Sequence, residues 1–176
     1  DNSRAQMDKV VEAMGEKGKY AELLGKESDT NAGVRSSAFH EVIDQYPDLK
    51  MVAQQTANWE QTEANQKTET ILQSNPDIKG IICGNDTMAC GAVQACVDAG
   101  RDDIKIIGLD GSDEAAAYIK SGNMVGTALQ QIALITTTAI DEADAYLNGT
   151  APEEEKQLIP CIAITADNVA NLSSFV

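Results

Sequence analysis

Ile104-Lys105-Ile106-Ile107-Gly108-Leu109-Asp110-Gly111 is the stretch on which the fold is read. Three isoleucines and a leucine crowd six positions, the composition of a strand covered on both faces, and Asp-Gly closes it with a turn. A short helix follows through Ala115, Ala116, Tyr118 and Ile119. Upstream, Gly80-Ile81-Ile82-Cys83 repeats the pattern, entering a helix with Met88, Ala89, Ala92, Val93 and Cys96 on one face and Gly100 at its end. Downstream, Val125-Gly126-Thr127-Ala128-Leu129 reads as one more strand.

Working further outward, Met7, Val10, Val11 and Met14 fall at i, i+3, i+4 and i+7, which predicts an amphipathic helix over residues 3–17. Residues 20–25 then read as strand. Val34, Ala38, Phe39, Val42, Ile43 and Tyr46 form the next helical stripe, closed by Pro47. Met51-Val52-Ala53 reads as strand, and residues 60–74 as a helix stopped by Asn75-Pro76-Asp77. Strands recur every ~20 to 30 residues with one helix between, the rhythm of βαβ units. The expected fold class is therefore α/β, a doubly wound, mainly parallel sheet. The last part departs from this rhythm. Residues 131–148 predict a helix striped by Ile132, Ile135, Ala139, Ala143 and Tyr146, and an acidic connection leads to an apolar run over 158–164.

Composition narrows the function. The 176 residues carry a formal charge of −15, with no basic stripe, so direct nucleic-acid binding is not expected. No apolar run approaches the ~20 residues that span a bilayer, so membrane insertion is not expected either. The cysteines, Cys83, Cys90, Cys96 and Cys161, show no C-x-x-C pairing, and His40 is the only histidine. Cys96 continues an apolar stripe and reads as a core thiol, while Cys90 lies too far along the same helix to bridge to it. No phosphate-cradling glycine motif is present, and the Asp110, Ser112, Asp113, Glu114 cluster lacks the spacing of a calcium loop. No metal and no cofactor are expected.

Ligands of an open parallel sheet bind beyond the carboxyl ends of its strands. The residues there are Arg35, Trp59, Asn85, Asp110 and Gln130, one after each successive strand. In this setting Asn85-Asp86-Thr87-Met88-Ala89, Gly108-Leu109-Asp110-Gly111 and Gly126-Thr127-Ala128-Leu129-Gln130 resemble, in order and spacing, the successive signatures of the type I periplasmic sugar-binding proteins, the ribose-binding group. Asn31-Ala32 with Arg35 and Phe39 resembles the same family's N-A-x-x-R-x-x-G-F stretch, with Ala38 where the family often has Gly. The resemblance implies a lobe of a bilobal receptor that closes on a sugar and delivers it to an ATP-driven permease, in the periplasm or, tethered, outside a Gram-positive cell.

The opening Asp1-Asn2 resembles the first crossover between lobes, which makes Asp1, Asn2 and Gln131 hinge candidates. On this reading residues 1–130 are the carboxyl-terminal lobe, and residues 131–176 are a crossover helix and final strand packing partly on an amino-terminal lobe or another copy of the chain. A sensor domain of a lac-repressor-type transcription regulator shares the fold and is the alternative. An α/β enzyme such as a sugar-phosphate isomerase is disfavoured, because no His or Cys base is placed for it.

The residue chemistry suits a polyol independently. Asp110 can accept from two hydroxyls, Arg35 can donate from a planar fork, and Asn85 and Gln130 can each do both. Trp59, the sole tryptophan, offers a flat face to C–H groups. Each also has a structural reading: Asp110 and Asn85 as turn residues, Arg35 as a solvated helix residue, Trp59 as boundary packing. Asp86 reads as a helix N-cap, and His40 as a solvated or partly packed side chain.

Overall fold

The computed structural model describes residues 2–150 and 156–175. Their elements run α1 (Asn2–Met14), β1 (Gly18–Leu24), α2 (Thr30–Ile43), β2 (Leu49–Thr56), α3 (Gln61–Ser74), β3 (Ile78–Cys83), α4 (Asp86–Asp98), β4 (Lys105–Ile107), α5 (Asp113–Ser121), β5 (Gly126–Leu129), α6 (Ile132–Leu147), β6 (Ile162–Thr165) and a 3-10 turn (Val169–Ser174). The sheet order is β2-β1-β3-β4-β5-β6. The first five strands pair in parallel, and β6 pairs antiparallel with β5. The α/β fold class with a mainly parallel sheet is thus the observed one.

The central strands β1, β3, β4 and β5 are largely buried, whereas the edge strand β2 is mostly exposed or half-buried, and the two-residue period sorts their side chains. Ile81 and Ile106 join the core under α3, α4 and α5, whereas their neighbours Ile82 and Ile107 join a second core with Met7, Val10 and Val11 of α1 and Phe39, Val42 and Ile43 of α2. Helices therefore cover both faces. The chain leaves β1 to build β2 on one side and returns through α3 to build β3 on the other, so the strand order reverses between β1 and β3. A crevice opens at such a point, beyond the carboxyl ends.

Several sequence expectations shift. Asp110 and the Leu109 before it lie beyond β4, which is shorter than its apolar run, although Asp110 still bridges to Leu129. Val34, assigned to a helical stripe, is 66% exposed, and Ala32 is buried in its place. In α6 no residue is buried, and Ile132, Ile135 and Tyr146 of its stripe all face solvent. Of the hinge candidates, Asp1 lies outside the described residues and Asn2 is the first residue of α1. The side chain of Gln131 donates from Nε2 to the Pro160 carbonyl at 2.6 Å, tying together the segments that enter α6 and return to β6.

Candidate functional site

The site is assembled from five short segments at the crevice. Asp29 caps α2, its side chain accepting from the Asn31 N–H, and this sets the first turns of the helix so that Arg35 reaches across to the strand ends. Its Nη1 donates to the Gly84 carbonyl at 2.7 Å and lies 3.4 Å from Asp110 Oδ1. The guanidinium carbon sits 5.3 Å from the centre of the Trp59 ring, within range of a cation–π contact.

Trp59 comes from the loop after β2, where Asn58 and Trp59 hold φ of 53° and 68°. This left-handed pair, rare for large side chains, turns the indole inward over the ends of β1 and β3. The ring lies on Gly25 and Gly84, and its Nε1 is buried without a hydrogen-bond partner. A buried, unspent donor in a candidate ligand site is a group to which a ligand or a rearrangement can still give a partner.

Asn85 is the N-cap of α4: its Oδ1 accepts from the Met88 N–H at 2.9 Å. The cap assigned to Asp86 from sequence thus belongs to Asn85, whose extended backbone (φ −150°, ψ 170°) is the geometry a cap requires, while Asp86 is the first helical residue. Asn85 Nδ2 faces the Trp59 carbonyl at a long 3.5 Å, so one of its two functional groups is spent on the helix and the other is weakly held.

Asp110 holds φ of 142°, a conformation that L-residues rarely adopt. Its Oδ1 accepts from Gln130 Nε2 at 2.6 Å, and the two backbones are linked as well, Gln130 N–H donating to the Asp110 carbonyl at 3.1 Å. Burial pushes the Asp110 carboxyl above its usual range, against the opposing pull of Arg35 and the Gln130 hydrogen bond. The five residues singled out in the sequence are therefore brought together around one Arg–Asp pair.

Sequence reading missed the layer beneath. Asp86 is 1% exposed and accepts from Thr127 Oγ1 at 2.6 Å, Ser112 N–H at 2.7 Å and Gly111 N–H at 2.9 Å. Its carboxyl is also raised, by burial first, with its hydrogen bonds opposing. One signal was available: of two adjacent polar residues before a helix only one can be the cap, which leaves the other to find donors elsewhere.

The arrangement is chemically suited to hydrogen-bonding a polar ligand. It offers a charged acceptor, a planar donor, two amides and an aromatic face. The chain's sole histidine lies apart from it, bonded to Glu22 through Nε2 at 3.2 Å and to Asp44 through Nδ1 at 2.9 Å. Among the described residues there is no cluster of His, Cys, Asp and Glu fit for a metal ion, and no helix is long and apolar enough to cross a membrane.

A family model described as a periplasmic binding protein domain matches residues 1–151. A D-apiose import binding protein of Actinobacillus succinogenes is 54% identical over 170 residues, 96% of this chain and 55% of the relative. Another of the same name, from Paraburkholderia graminis, is 51% identical over 166 residues, 94% of this chain and 53% of the relative. The chain thus spans about half the length of the curated relatives it matches. Among solved structures, an ABC transporter periplasmic solute binding protein of Actinobacillus succinogenes with bound D-allose superposes with a TM-score of 0.91 at 32% identity, covering 96% of this chain and 59% of the other. A solute binding protein of Bacillus halodurans with bound myo-inositol gives 0.90 at 26% identity, covering 99% and 61%.

Proposed function

This chain belongs to the periplasmic binding protein domain family, and from that premise we propose that it is the sugar-gripping lobe of a solute receptor for an ABC-type importer. The observation that carries the reading is the convergence of Arg35, Trp59, Asn85, Asp110 and Gln130 at the switch point, where the Arg35–Asp110 pair presents donors and an acceptor to a neutral polyol. The likeness to two D-apiose receptors favours a pentose, with D-apiose the first candidate. The chain acts as a binder and not as an enzyme, handing its ligand to a permease in the periplasm or outside the cell. The regulator alternative has no support from these relatives.

Residues 1–130 form the lobe proper on this reading, with Asp1, Asn2 and Gln131 at the crossovers. The exposed apolar side chains of α6 then belong against the rest of the receptor or another copy of the chain, because Ile132, Ile140 and Leu147 are 60%, 63% and 88% exposed. Burying each would be worth roughly 1.5 to 3 kcal/mol. A second lobe would also add contacts to the sugar and exclude water, so this chain alone should bind far more weakly than the full-length protein.

The test is a titration of both with D-apiose, D-ribose, D-allose and xylitol. Heteronuclear NMR detects weak binding by the chain, and calorimetry measures the full-length protein. Expected are shifts confined to the five residues and tight binding of a pentose by the full-length form. A full-length protein indifferent to every neutral sugar and polyol would overturn the reading.

A further inference from the structure

The Asp110 side chain meets Arg35 and Gln130 from a backbone that its own φ of 142° disfavours, and Gly111 after it holds φ of 84°. Something must hold this turn. The sheet contributes at one end, where Asp110 N–H donates to the Ala128 carbonyl at 2.9 Å. At the other end the N–H groups of Gly111 and Ser112 point away from the sheet and towards α4, and both converge on a single oxygen, Asp86 Oδ2, at 2.9 and 2.7 Å. The second oxygen, Oδ1, takes the Thr127 hydroxyl at 2.6 Å, and that hydroxyl oxygen also accepts from Gly111 N–H at 3.2 Å. Asp86 is anchored in its turn, its N–H donating to the Leu109 carbonyl at 2.8 Å.

We propose that Asp86 is the positioning residue of the site: its buried carboxylate clamps the Gly111-Ser112 backbone and thereby holds Asp110 in the conformation that pairs it with Arg35 and Gln130. This assignment rests on the reading of Asp110 as a ligand-binding group. Packing leaves little room for another solution. A Cβ at residue 108 would strike Asp86 Oδ1, so the carboxylate fills the space that Gly108 leaves, and one at residue 111 would strike Leu129, so the turn that the carboxylate holds has no room for a side chain there. The adjacent residues Asn85 and Asp86 divide the work at the start of α4. Asn85 caps the helix beside the crevice, whereas Asp86 faces inward and ties α4 to the loop after β4 and to β5.

A buried carboxylate could merely stabilise the fold, so the test needs a readout tied to Asp110. Asp86→Asn preserves shape and removes the charge. In ligand-free, isotope-labelled protein, D86N should move the side-chain amide resonances of Gln130, reporting a changed Asp110–Gln130 bond, and should weaken sugar binding about tenfold, the loss of one hydrogen bond to a charged group. In a chain already carrying D110N, adding D86N should move Gln130 no further. Unchanged Gln130 resonances in D86N, or an effect that adds in full to that of D110N, would overturn the proposal and leave Asp86 a purely structural group. Should D86N not fold, Thr127→Val carries the same test: it removes one donor, keeps the carboxylate, and should shift Gln130 in the same direction by less, with no shift counting against the clamp. Wild-type full-length protein that binds none of the sugars would refute the receptor reading, while the ligand-free resonances would still decide the role of Asp86.

Discussion

The Trp59 ring occupies the space that a Cβ on Gly25 would need, so the end of β1 and the loop after β2 are in contact through an absent side chain. This fixes the indole under the Arg35 guanidinium. Gly25→Ala should push the ring away, costing about 1 to 3 kcal/mol through overpacking. Because Trp59 is the chain's single tryptophan, its fluorescence reports the displacement directly. A red shift of emission and weaker sugar binding are expected, and an unchanged spectrum would contradict the contact.

Asp110→Asn removes the charge on which Arg35 and Gln130 converge. Hydrogen bonds to a charged group are worth about 1.5 to 3 kcal/mol, so sugar affinity should fall roughly 10- to 100-fold. Acid should mimic the substitution. Burial raises the Asp110 carboxyl above the ordinary carboxylate range, so ionised Asp110, and with it sugar affinity, should begin to disappear at a higher pH than an ordinary aspartate allows. Affinity measured against pH should therefore decline earlier in wild type than an unshifted carboxyl would dictate, and D110N should flatten the profile.

His40 couples α2 to the sheet and makes stability depend on pH. Burial is the largest single influence on its imidazole and acts downward, yet the hydrogen bonds to Asp44 and Glu22 and the negative charges of both together outweigh it and raise the pKa above the usual 6.5. A histidine whose folded pKa exceeds its unfolded value stabilises fully below the unfolded value and loses that contribution as pH rises through the folded one. Denaturation midpoints should therefore show a component that falls from about pH 6.5 upward. His40→Gln should abolish that component, and a slope that survives the substitution would assign it elsewhere.

The thiols should separate sharply. Cys83, Cys90 and Cys96 are buried, and burial pushes the last two up to about 12. Cys161, only partly buried, is raised by burial as well. A disulfide reagent at pH 8 should label Cys161 alone, and slowly, in the native chain, and all four thiols in denaturant. Rapid labelling of Cys90 or Cys96 would show that α4 opens locally.

The strands and helices were legible because burial on both sheet faces writes near-continuous apolar runs, as in Ile104 to Leu109, and because turn residues such as Asn75-Pro76 punctuate them. The carboxyl-end rule then picked out Arg35, Trp59, Asn85, Asp110 and Gln130, which the fold brings together. What stayed hidden depends on geometry in three dimensions. The apolar stripe of α6 announces a helix but not that nothing described covers it. The antiparallel direction of β6 leaves no trace in a four-residue apolar strand. Asp86 and Asn85 are both good N-cap residues, and only the extended backbone at 85 decides between them. His40 read as solvated or partly packed, and it is partly packed, but its partner Glu22, 18 positions away and facing inward from β1, could not be named from sequence.

The pairing of Arg35 with Asp110 also bears on what the crevice attracts. A lone carboxylate there would recruit a cation and a lone guanidinium an anion, and either guest would have to be expelled before a sugar could enter. Leaning on each other at 3.4 Å, the two groups cancel most of their own field. An uncharged molecule therefore displaces water and not salt, and its affinity should barely change with ionic strength, even on a chain whose surface carries a formal charge of −15.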